Sequence, residues 1–133
     1  MPIDAKLRDF LNEKRFAVLA TINADGSPQQ TVMWYELRGD TIVMNTTLNR
    51  VKGRNLQRDP RISVCFEDGY RFVTISGAAE LRDDQPTAQA DIRALAIRYH
   101  GQEDGDRQAR EVFAKQERVS IYLPATHVIV KES

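Results

Sequence analysis

The sequence lacks several features that would place it in a specialised class of proteins. Cys65 is its only cysteine, so an internal disulfide is impossible. Its two histidines, His100 and His127, stand far apart in the sequence and do not by themselves make a zinc site. No apolar run reaches the roughly 18 residues of a membrane helix, and residues 1–11 lack the apolar core of a signal peptide. We therefore expect a cytoplasmic protein without a bound metal.

The sequence also lacks a net charge. Its 19 lysine and arginine residues are balanced by 19 aspartate and glutamate residues, so no overall field attracts nucleic acid or a membrane surface. It contains no internal repeats and no low-complexity tracts. A chain of 133 residues has the usual length of one domain. We predict one domain over residues 1–133, whose partner is a small molecule and neither nucleic acid nor a membrane.

Short β-branched and apolar runs, separated by turn residues, predict a mainly β protein. The predicted strands are residues 16–22, 29–37, 41–46, 62–66, 70–81, 119–123 and 127–130. The first run is apolar on both alternating faces, which predicts burial on both sides, and Gly77 marks a bulge or bend in the long strand. Turns over residues 23–28 and 38–40 join the first three strands into a meander. We expect the strands to close into a small antiparallel barrel, which removes exposed edges.

A few helices are expected between the strands. Residues 3–11 have the apolar spacing of a short amphipathic helix. Asp83 or Asp84 is expected to cap a helix that ends near Gly101. Residues 102–106 are polar and predict a loop, followed by a shorter helix over residues 107–115.

Residues 46–60 concentrate positive charge where a predicted strand gives way to a predicted helix. The cations are Arg50, Lys52, Arg54 and Arg58, and no acidic residue lies between residues 50 and 58. Thr47 or Asn49 is expected to cap this helix, and Asp59 with the following proline to end it. Free N–H groups at a helix start, together with nearby cations, favour phosphate or carboxylate. This basic stretch therefore predicts a site for an anionic ligand.

A simpler interpretation of the basic stretch is a solvated helix face. Arg50, Arg54 and Arg58 are spaced four residues apart, which places them on one side of a helix, and many surface helices carry such charges. Gly53 favours the binding interpretation, because a residue without a side chain lets a ligand or a second backbone come close.

An ordered series of short motifs covers nearly the whole chain. The motifs are Val18-Leu19-Ala20-Thr21-Ile22, Asp25-Gly26-Ser27-Pro28-Gln29, Met33-Trp34-Tyr35, Arg50-Val51-Lys52-Gly53-Arg54-Asn55-Leu56, Asp59-Pro60-Arg61 and Gly77-Ala78-Ala79-Glu80-Leu81. In this order and spacing they resemble the flavin/deazaflavin oxidoreductase group of the pyridoxamine 5′-phosphate oxidase-like split β-barrel superfamily. The resemblance implies a split β-barrel that forms a homodimer, with two cofactor sites at the subunit interface.

The same resemblance implies which residues hold the cofactor. They are Arg50 and Lys52 at the phosphate-bearing tail, Asn45, Thr46 and Thr47 along it, Gln29 near the ring system, and Arg54 and Asn55 within the matching motif. The run over residues 50–56 resembles the branch that uses the deazaflavin coenzyme F420. That coenzyme has a longer anionic tail than FMN, and four unpaired cations suit the longer tail. F420 is therefore the favoured cofactor, with FMN as the alternative.

By this resemblance the protein is an oxidoreductase in which the cofactor performs the redox chemistry and the protein orients it. A deazaflavin would pass a hydride to an enone, a quinone or a bilin-like substrate. No side chain stands out as an obligatory acid or base. Trp34, Tyr35 and Tyr70 either shape the substrate cleft or belong to the core. Because no catalytic residue is identified, a non-enzymatic carrier of a flavin, deazaflavin or tetrapyrrole is a further alternative.

Overall fold

Two antiparallel sheets and four α-helices make up the part of the chain that the computed structural model describes, residues 3–132. Met1, Pro2 and Ser133, which the predicted domain includes, lie outside that part. The strands are β1 (Ala17–Ile22), β2 (Pro28–Met33), β3 (Glu36–Arg38), β4 (Thr41–Thr47), β5 (Arg61–Glu67), β6 (Arg71–Ala78), β7 (Glu80–Arg82), β8 (Arg118–Pro124) and β9 (His127–Glu132). The helices are α1 (Ala5–Asn12), α2 (Val51–Arg58), α3 (Gln85–His100) and α4 (Gln102–Glu111), followed by a 3₁₀ turn (Phe113–Lys115). This architecture confirms the predicted mainly β, split-barrel fold.

The strands are divided between a five-stranded sheet, ordered β2-β1-β5-β6-β9, and a four-stranded sheet, ordered β3-β4-β8-β7. All neighbouring strands are antiparallel. Two of the predicted strands are wrong as single strands, because residues 29–37 and 70–81 each pass from one sheet to the other. The first three predicted strands therefore do not form one meander.

Long-range hydrogen bonds made by Tyr35 and Ala79 at the two crossings explain these differences. The hydroxyl of the buried Tyr35 donates to the carbonyl oxygen of Leu11 at 2.7 Å, and the Tyr35 backbone N–H donates to the hydroxyl of Tyr99 at 3.1 Å. At the second crossing the N–H of Ala79 donates to the carbonyl oxygen of Pro60 at 2.7 Å. These partners lie far away in the sequence, so local patterning does not reveal the crossings.

The hydrophobic core lies between the two sheets. The sheets contribute buried side chains that include Leu19, Val64, Phe66 and Ile75 from the five-stranded sheet and Ile42, Met44, Ile121 and Leu123 from the four-stranded sheet. Helix α1 adds Phe10 and Leu11 to the same core. Full burial of side chains of this size contributes about 1.5–3 kcal/mol each.

The outer face of the five-stranded sheet carries apolar side chains that the chain does not cover. An outer row across β2, β1, β5, β6 and β9 consists of Val32, Val18, Cys65, Thr74 and Ile129. Val32 is 62% exposed and Ile129 is 52% exposed. Residues along β1 alternate between buried and half-buried. The predicted burial of this strand on both sides is therefore wrong for the chain taken alone.

The helices α3 and α4 meet at a glycine. The carboxylate of Asp84 accepts from the Thr87 N–H at 3.2 Å, and Gly101 ends α3 with a φ of 91°, as predicted. The predicted loop over residues 102–106 is wrong, because α4 begins directly after Gly101. Gly105 explains the close packing of the two helices, since a Cβ there would lie 2.6 Å from the backbone nitrogen of Ile97. Within residues 3–132 no helix has the length and apolar character needed to cross a bilayer.

The buried carboxylate of Asp91 ties α3 to the four-stranded sheet. Its Oδ1 accepts from Nη1 of Arg38 at 2.7 Å, while its Oδ2 accepts from the hydroxyls of Ser120 at 2.6 Å and Tyr122 at 2.5 Å. Burial acts to raise the pKa of Asp91, but the hydrogen bonds and the Arg38 charge outweigh it, so the pKa lies below its ordinary value. This network fixes the helix that covers one side of the candidate site.

Candidate functional site

Helix α2 begins directly behind strand β4, as the basic stretch predicted. Its N-cap residue is Arg50, whose side chain makes no capping bond, so the predicted cap at Thr47 or Asn49 is wrong. The Arg50 N–H donates to the carbonyl oxygen of Thr47 at 3.4 Å, which closes a tight turn in place of a side-chain cap. The first-turn N–H groups of a helix have no intrahelical acceptor and remain available to an anion. Asp59 ends the helix as predicted.

Gly53 allows this helix to lie against the turn that precedes it. A Cβ at residue 53 would lie 2.6 Å from the carbonyl oxygen of Thr47 and 3.0 Å from that of Leu48. Real Cβ atoms essentially never come as close as the first distance. The predicted close approach at Gly53 is therefore confirmed, and the approaching group is backbone.

The C-terminal half of α2 is fastened to strand β1. Nδ2 of Asn55 donates to Thr21 Oγ1 and to Asn23 Oδ1, both at 3.0 Å. Nη2 of Arg58 donates to Asn55 Oδ1 and to the carbonyl oxygen of Ile22, both at 2.8 Å. These bonds attach the helix to the end of β1, and neither Asn55 nor Arg58 lines the groove described below. The ligand contact predicted for Asn55 stays a prediction.

Two further predicted site residues lie outside the groove described below. Arg54 is exposed on α2 and lines no part of that groove. Gln29 is half-buried on β2, where its Oε1 accepts from Thr21 Oγ1 at 3.3 Å and its Nε2 donates to Thr31 Oγ1 at 3.0 Å. Thr31 does line the groove. The ligand contacts predicted for Arg54 and Gln29 stay predictions.

A groove runs beside the start of α2 and has two adjoining parts that share Arg50 and Gln116. The first part, here the aromatic groove, has a volume of about 300 Å³ and is lined by Thr31, Val32, Met33, Trp34, Asn45, Thr46, Arg50, Lys52, Ile92, Leu95, Val112, Phe113, Gln116 and Arg118. The second part, here the loop groove, has a volume of about 610 Å³ and is lined by Thr47, Leu48, Asn49, Arg50, Lys115, Gln116 and Glu117. Of the eight predicted site residues, Asn45, Thr46, Thr47, Arg50 and Lys52 meet here.

Four cations, Arg50, Lys52, Lys115 and Arg118, line the groove without an ion pair to a carboxylate within the described part of the chain, and Glu117 is the one carboxylate in its described lining. Burial lowers the pKa of Lys52, and the charges of Arg50 and Arg118 lower it further. Burial also lowers the pKa of Arg118 to about 10, with a further contribution from Arg50. Lowered pKa values of this kind indicate uncompensated positive charge. The groove is therefore suited to an anion.

Two buried hydroxyl groups beside these cations have no partner. Oγ1 of Thr46 and Oγ1 of Thr47 are buried without a hydrogen bond to any described residue. Thr46 lines the aromatic groove and Thr47 lines the loop groove. Unsatisfied buried polar atoms are uncommon in native proteins and call for a partner. A ligand with phosphate or hydroxyl oxygens fits the requirement.

Asn45 has its amide fully engaged within the chain. Its Nδ2 donates to the carbonyl oxygen of Ala88 at 2.9 Å and to Oγ of Ser120 at 3.2 Å. Its Oδ1 accepts from Nε of Arg118 at 2.8 Å. Asn45 thus lies at the groove as predicted but uses its amide to hold its neighbours.

Arg118 is a groove residue that the sequence patterning did not identify. It is opposite Thr47 in the β4–β8 pairing, and this long-range pairing is what brings it to the basic stretch. Its guanidinium carbon lies 4.8 Å from the ring centroid of Phe113. The sequence around Arg118, a single arginine before a predicted strand, gives no indication that its side chain lines a groove.

The wall opposite the basic stretch is aromatic and firmly held. Trp34 stacks on Tyr99 with ring centroids 5.3 Å apart and an interplanar angle of 12°. Nε2 of Gln89 on α3 donates to the carbonyl oxygens of Phe113 at 2.8 Å and Gln116 at 2.9 Å, which holds the 3₁₀ turn against the helix. Of the three aromatic candidates, Trp34 lines the groove, Tyr35 is core and Tyr70 is 78% exposed at a turn.

The other reactive residue types do not assemble into a second site. Among residues 3–132 no cluster of three histidine, cysteine, aspartate or glutamate side chains is arranged to hold a metal ion. Cys65 is half-buried in the outer row of the five-stranded sheet. His100 packs edge-on against Trp34 with ring centroids 5.1 Å apart, and His127 is exposed at the start of β9.

Comparisons with known proteins identify a matching family and several similar structures. The sequence profile of the pyridoxamine 5′-phosphate oxidase family matches residues 3–128. A conserved hypothetical protein of Mycobacterium tuberculosis is 31% identical, with a TM-score of 0.83 over 97% of this chain and 84% of that one. A protein described as an F420 reductase is 27% identical, with a TM-score of 0.73 over 92% of this chain and 94% of that one. A heme storage protein of Vibrio cholerae shares the fold, at 20% identity and a TM-score of 0.72 over 98% of this chain and 96% of that one.

Proposed function

The chain belongs to the pyridoxamine 5′-phosphate oxidase family, and we propose that it is an oxidoreductase that uses coenzyme F420. Its substrate is proposed to be an unsaturated small molecule, such as an enone, a quinone or a bilin. The observation that carries the proposal is the groove at the start of α2, where Arg50 and Lys52 lie beside the unpartnered hydroxyls of Thr46 and Thr47. The 27% identity to an F420 reductase supports the choice of cofactor.

The phosphate-bearing tail of the cofactor is proposed to lie against Arg50 and Lys52. Charge-assisted hydrogen bonds from such groups are shorter and stronger than neutral ones. The loop groove continues past Arg50, with Lys115 and Glu117 in its lining, so the groove is longer than a single phosphate requires. Its length supports the longer tail of F420 over the single phosphate of FMN.

When bound, F420 would supply the hydride, and the chain would hold and shield the reacting partners. Trp34, Ile92 and Leu95 form an apolar wall in the aromatic groove, which suits a flat substrate and excludes water. The described lining of this groove contains no carboxylate and no histidine. The proton that completes the reduction is therefore proposed to come from solvent.

A homodimer with the cofactor at the subunit interface is part of this proposal. The outer row of Val32, Val18, Cys65, Thr74 and Ile129 presents apolar surface on the five-stranded sheet. Contiguous exposed apolar patches commonly mark interaction sites. Val32 belongs both to this row and to the aromatic groove, so a second copy seated on this face would border the cofactor.

FMN is the second candidate cofactor, because Arg50 and Lys52 suit the phosphate of either molecule. Titration of the purified protein with each cofactor separates the candidates. We expect F420 to bind with a dissociation constant on the order of tens of micromolar or below. The change in F420 fluorescence measures this binding. If F420 fluorescence does not change, and the protein either binds FMN saturably or is yellow when purified, FMN becomes the proposed cofactor in place of F420.

Turnover separates an enzyme from a carrier. Protein loaded with reduced F420 is expected to consume it when a panel of quinones, enones and bilins is added, as followed by the return of oxidised F420 fluorescence. Tight binding without consumption by any member of the panel would leave a carrier of the cofactor as the function.

A further inference from the structure

Arg118 is a buried groove cation that the function proposed above does not use. It is only 5% exposed, yet it lines the aromatic groove. Its Nε donates to Asn45 Oδ1 at 2.8 Å and its Nη1 donates to Gln116 Oε1 at 2.6 Å. Both acceptors are neutral amide oxygens, so they orient the guanidinium without neutralising it. Nη2 has no hydrogen-bond partner among the described residues.

The charges around Arg118 have the same sign. Lys52, 9% exposed, and Arg50 approach it from the start of α2, and within residues 3–132 none of the three forms an ion pair. An uncompensated buried charge is unfavourable, because it loses its hydration without gaining a partner of opposite charge. The same burial, with the charge of Arg50, lowers the pKa of Arg118. An incoming anion would supply that partner, so the folded chain is prepared for one.

The residues around Arg118 indicate what kind of molecule bears the anionic group. The guanidinium lies against the ring of Phe113, and Trp34, Ile92 and Leu95 line the same groove. We propose that Nη2 of Arg118 binds an oxyanion, phosphate or carboxylate, carried by a flat apolar molecule in the aromatic groove. The inference rests on the proposed use of this groove for a redox cofactor and its substrate, and either of these is a possible source of the oxyanion.

Trp34 provides the readout, because it is the only tryptophan of the chain and lines the groove. Binding of FMN and of riboflavin, which has the same ring but no phosphate, is measured by quenching of Trp34 fluorescence. For Arg118→Met we expect FMN affinity to fall about 10- to 100-fold, the effect of one charge-assisted hydrogen bond, and riboflavin affinity to stay unchanged. Arg82→Met is the matched control, because the Arg82 side chain lies on strand β7, is 52% exposed, and within residues 3–132 forms an ion pair with Glu80 alone and a contact with the Tyr122 ring, outside the groove.

A second pair of probes tests the substrate as the source. Cofactor-loaded wild-type and Arg118→Met proteins are compared on a naphthoquinone with and without a carboxylate substituent. A loss confined to FMN affinity identifies the cofactor phosphate as the oxyanion, and a rise in KM confined to the carboxylate-bearing quinone identifies the substrate. If wild-type and Arg118→Met proteins have equal dissociation constants for FMN and for riboflavin, and equal KM values for both quinones, the proposal is overturned. The proposed oxidoreductase function is unaffected by that result.

Two further measurements keep the outcome decisive. If Arg118→Met does not fold, the decision passes to Arg118→Lys, whose compact ammonium cannot reach both amide oxygens and an anion. A loss of about fivefold or more in that variant supports the proposal, and unchanged affinity overturns it. If the wild-type protein binds neither flavin nor F420, the proposed function fails. Benzoate and inorganic phosphate are then titrated while Trp34 fluorescence is followed. If the wild-type protein binds either anion and Arg118→Met does not, the role of Arg118 is supported. If the two proteins behave alike, that role is overturned.

Discussion

Asn45 and Arg118 are joined by a hydrogen bond of 2.8 Å from Nε of the arginine to Oδ1 of the asparagine, across the paired strands β4 and β8. Asn45 also donates to the carbonyl oxygen of Ala88, so one side chain connects a strand, a helix and the buried guanidinium. The arginine is thereby fixed before any ligand arrives. Preorganisation of this kind reduces the ordering cost of binding.

Asn45→Asp tests whether the uncompensated charge at Arg118 matters for binding. The aspartate keeps the acceptor oxygen toward Arg118 and adds a negative charge, so we expect anion affinity to fall about 10-fold or more. It also loses the donor to the Ala88 carbonyl oxygen and to Ser120, so we expect a lower melting temperature. Thermal unfolding and FMN titration measure the two effects. Higher FMN affinity in the variant would contradict the assignment of the groove to anions.

Replacing Arg50 and Lys52 together tests the proposed tail site. We expect Arg50→Ala/Lys52→Ala to weaken cofactor binding by roughly 2–4 kcal/mol, since charge-assisted hydrogen bonds are lost. The far-UV circular dichroism and the melting temperature should stay close to wild type, because neither side chain has a carboxylate partner to lose within residues 3–132. Unchanged affinity would place the cofactor tail elsewhere.

Gly53→Ala tests the packing of α2 on the preceding turn. Alanine gains about 1 kcal/mol of helix propensity, but its Cβ would lie 2.6 Å from the carbonyl oxygen of Thr47. We expect the clash to dominate and to lower the free energy of unfolding by about 1–3 kcal/mol, measured by urea denaturation. Arg54→Ala in the same helix is the control, with a change of no more than about 0.5 kcal/mol expected for an exposed side chain. A stabilised Gly53→Ala protein would mean that the turn can move.

Asp91 gives the fold a definite pH dependence. Because its folded pKa is below the ordinary value of 3.8, its contribution to stability is complete above pH 3.8 and is lost as pH falls through the folded pKa. We expect Asp91→Asn to cost about 1–3 kcal/mol near neutral pH, through weakened bonds to Arg38, Ser120 and Tyr122. Unfolding measured from pH 7 downwards should show this difference shrinking below pH 3.8. If the difference in unfolding free energy between the wild-type and Asp91→Asn proteins does not change with pH, the Asp91 carboxylate is not its source.

Val18→Asp tests the proposed subunit contact. Val18 lies in the middle of the outer row, between Val32 and Cys65, where a buried aspartate would be unpaired. We expect sedimentation to show a dimer for the wild-type protein and a monomer for Val18→Asp. Ala90→Asp, on the exposed face of α3, should remain dimeric. A wild-type protein that sediments as a monomer would contradict the dimer directly.

Local sequence features predicted the elements that depend on neighbours in the chain. The Asp84 cap, the Gly101 terminus and the start of the basic helix behind β4 all rest on contacts within a few residues. The errors occurred where distant residues decide the structure. Tyr35 leaves its strand because Leu11 and Tyr99 take its hydrogen bonds, and residues 102–106 are helical because Gly105 packs on Ile97.

The residues of the candidate site also differ in whether local sequence or long-range pairing places them. Arg50 and Lys52 were identified because unpaired charge gathered at a helix start is visible locally, and both line the groove. Arg118 was not identified, because only the register of β8 with β4 brings it there. The amide nitrogen of Asn55 donates to Thr21 and Asn23, bonds that no local sequence feature reveals, and its predicted ligand contact stays a prediction.

Gln89 has a consequence for how this groove can change. Its two hydrogen bonds attach the Phe113–Lys115 turn and Gln116 to α3. The turn that carries Phe113 is therefore held by α3 through Gln89 and also by the sheet through Arg118, whose Nη1 donates to Gln116 Oε1 at 2.6 Å. A substitution that removes the Gln89 amide is therefore expected to free Phe113 from α3 and to change the aromatic side of the groove before its charged side.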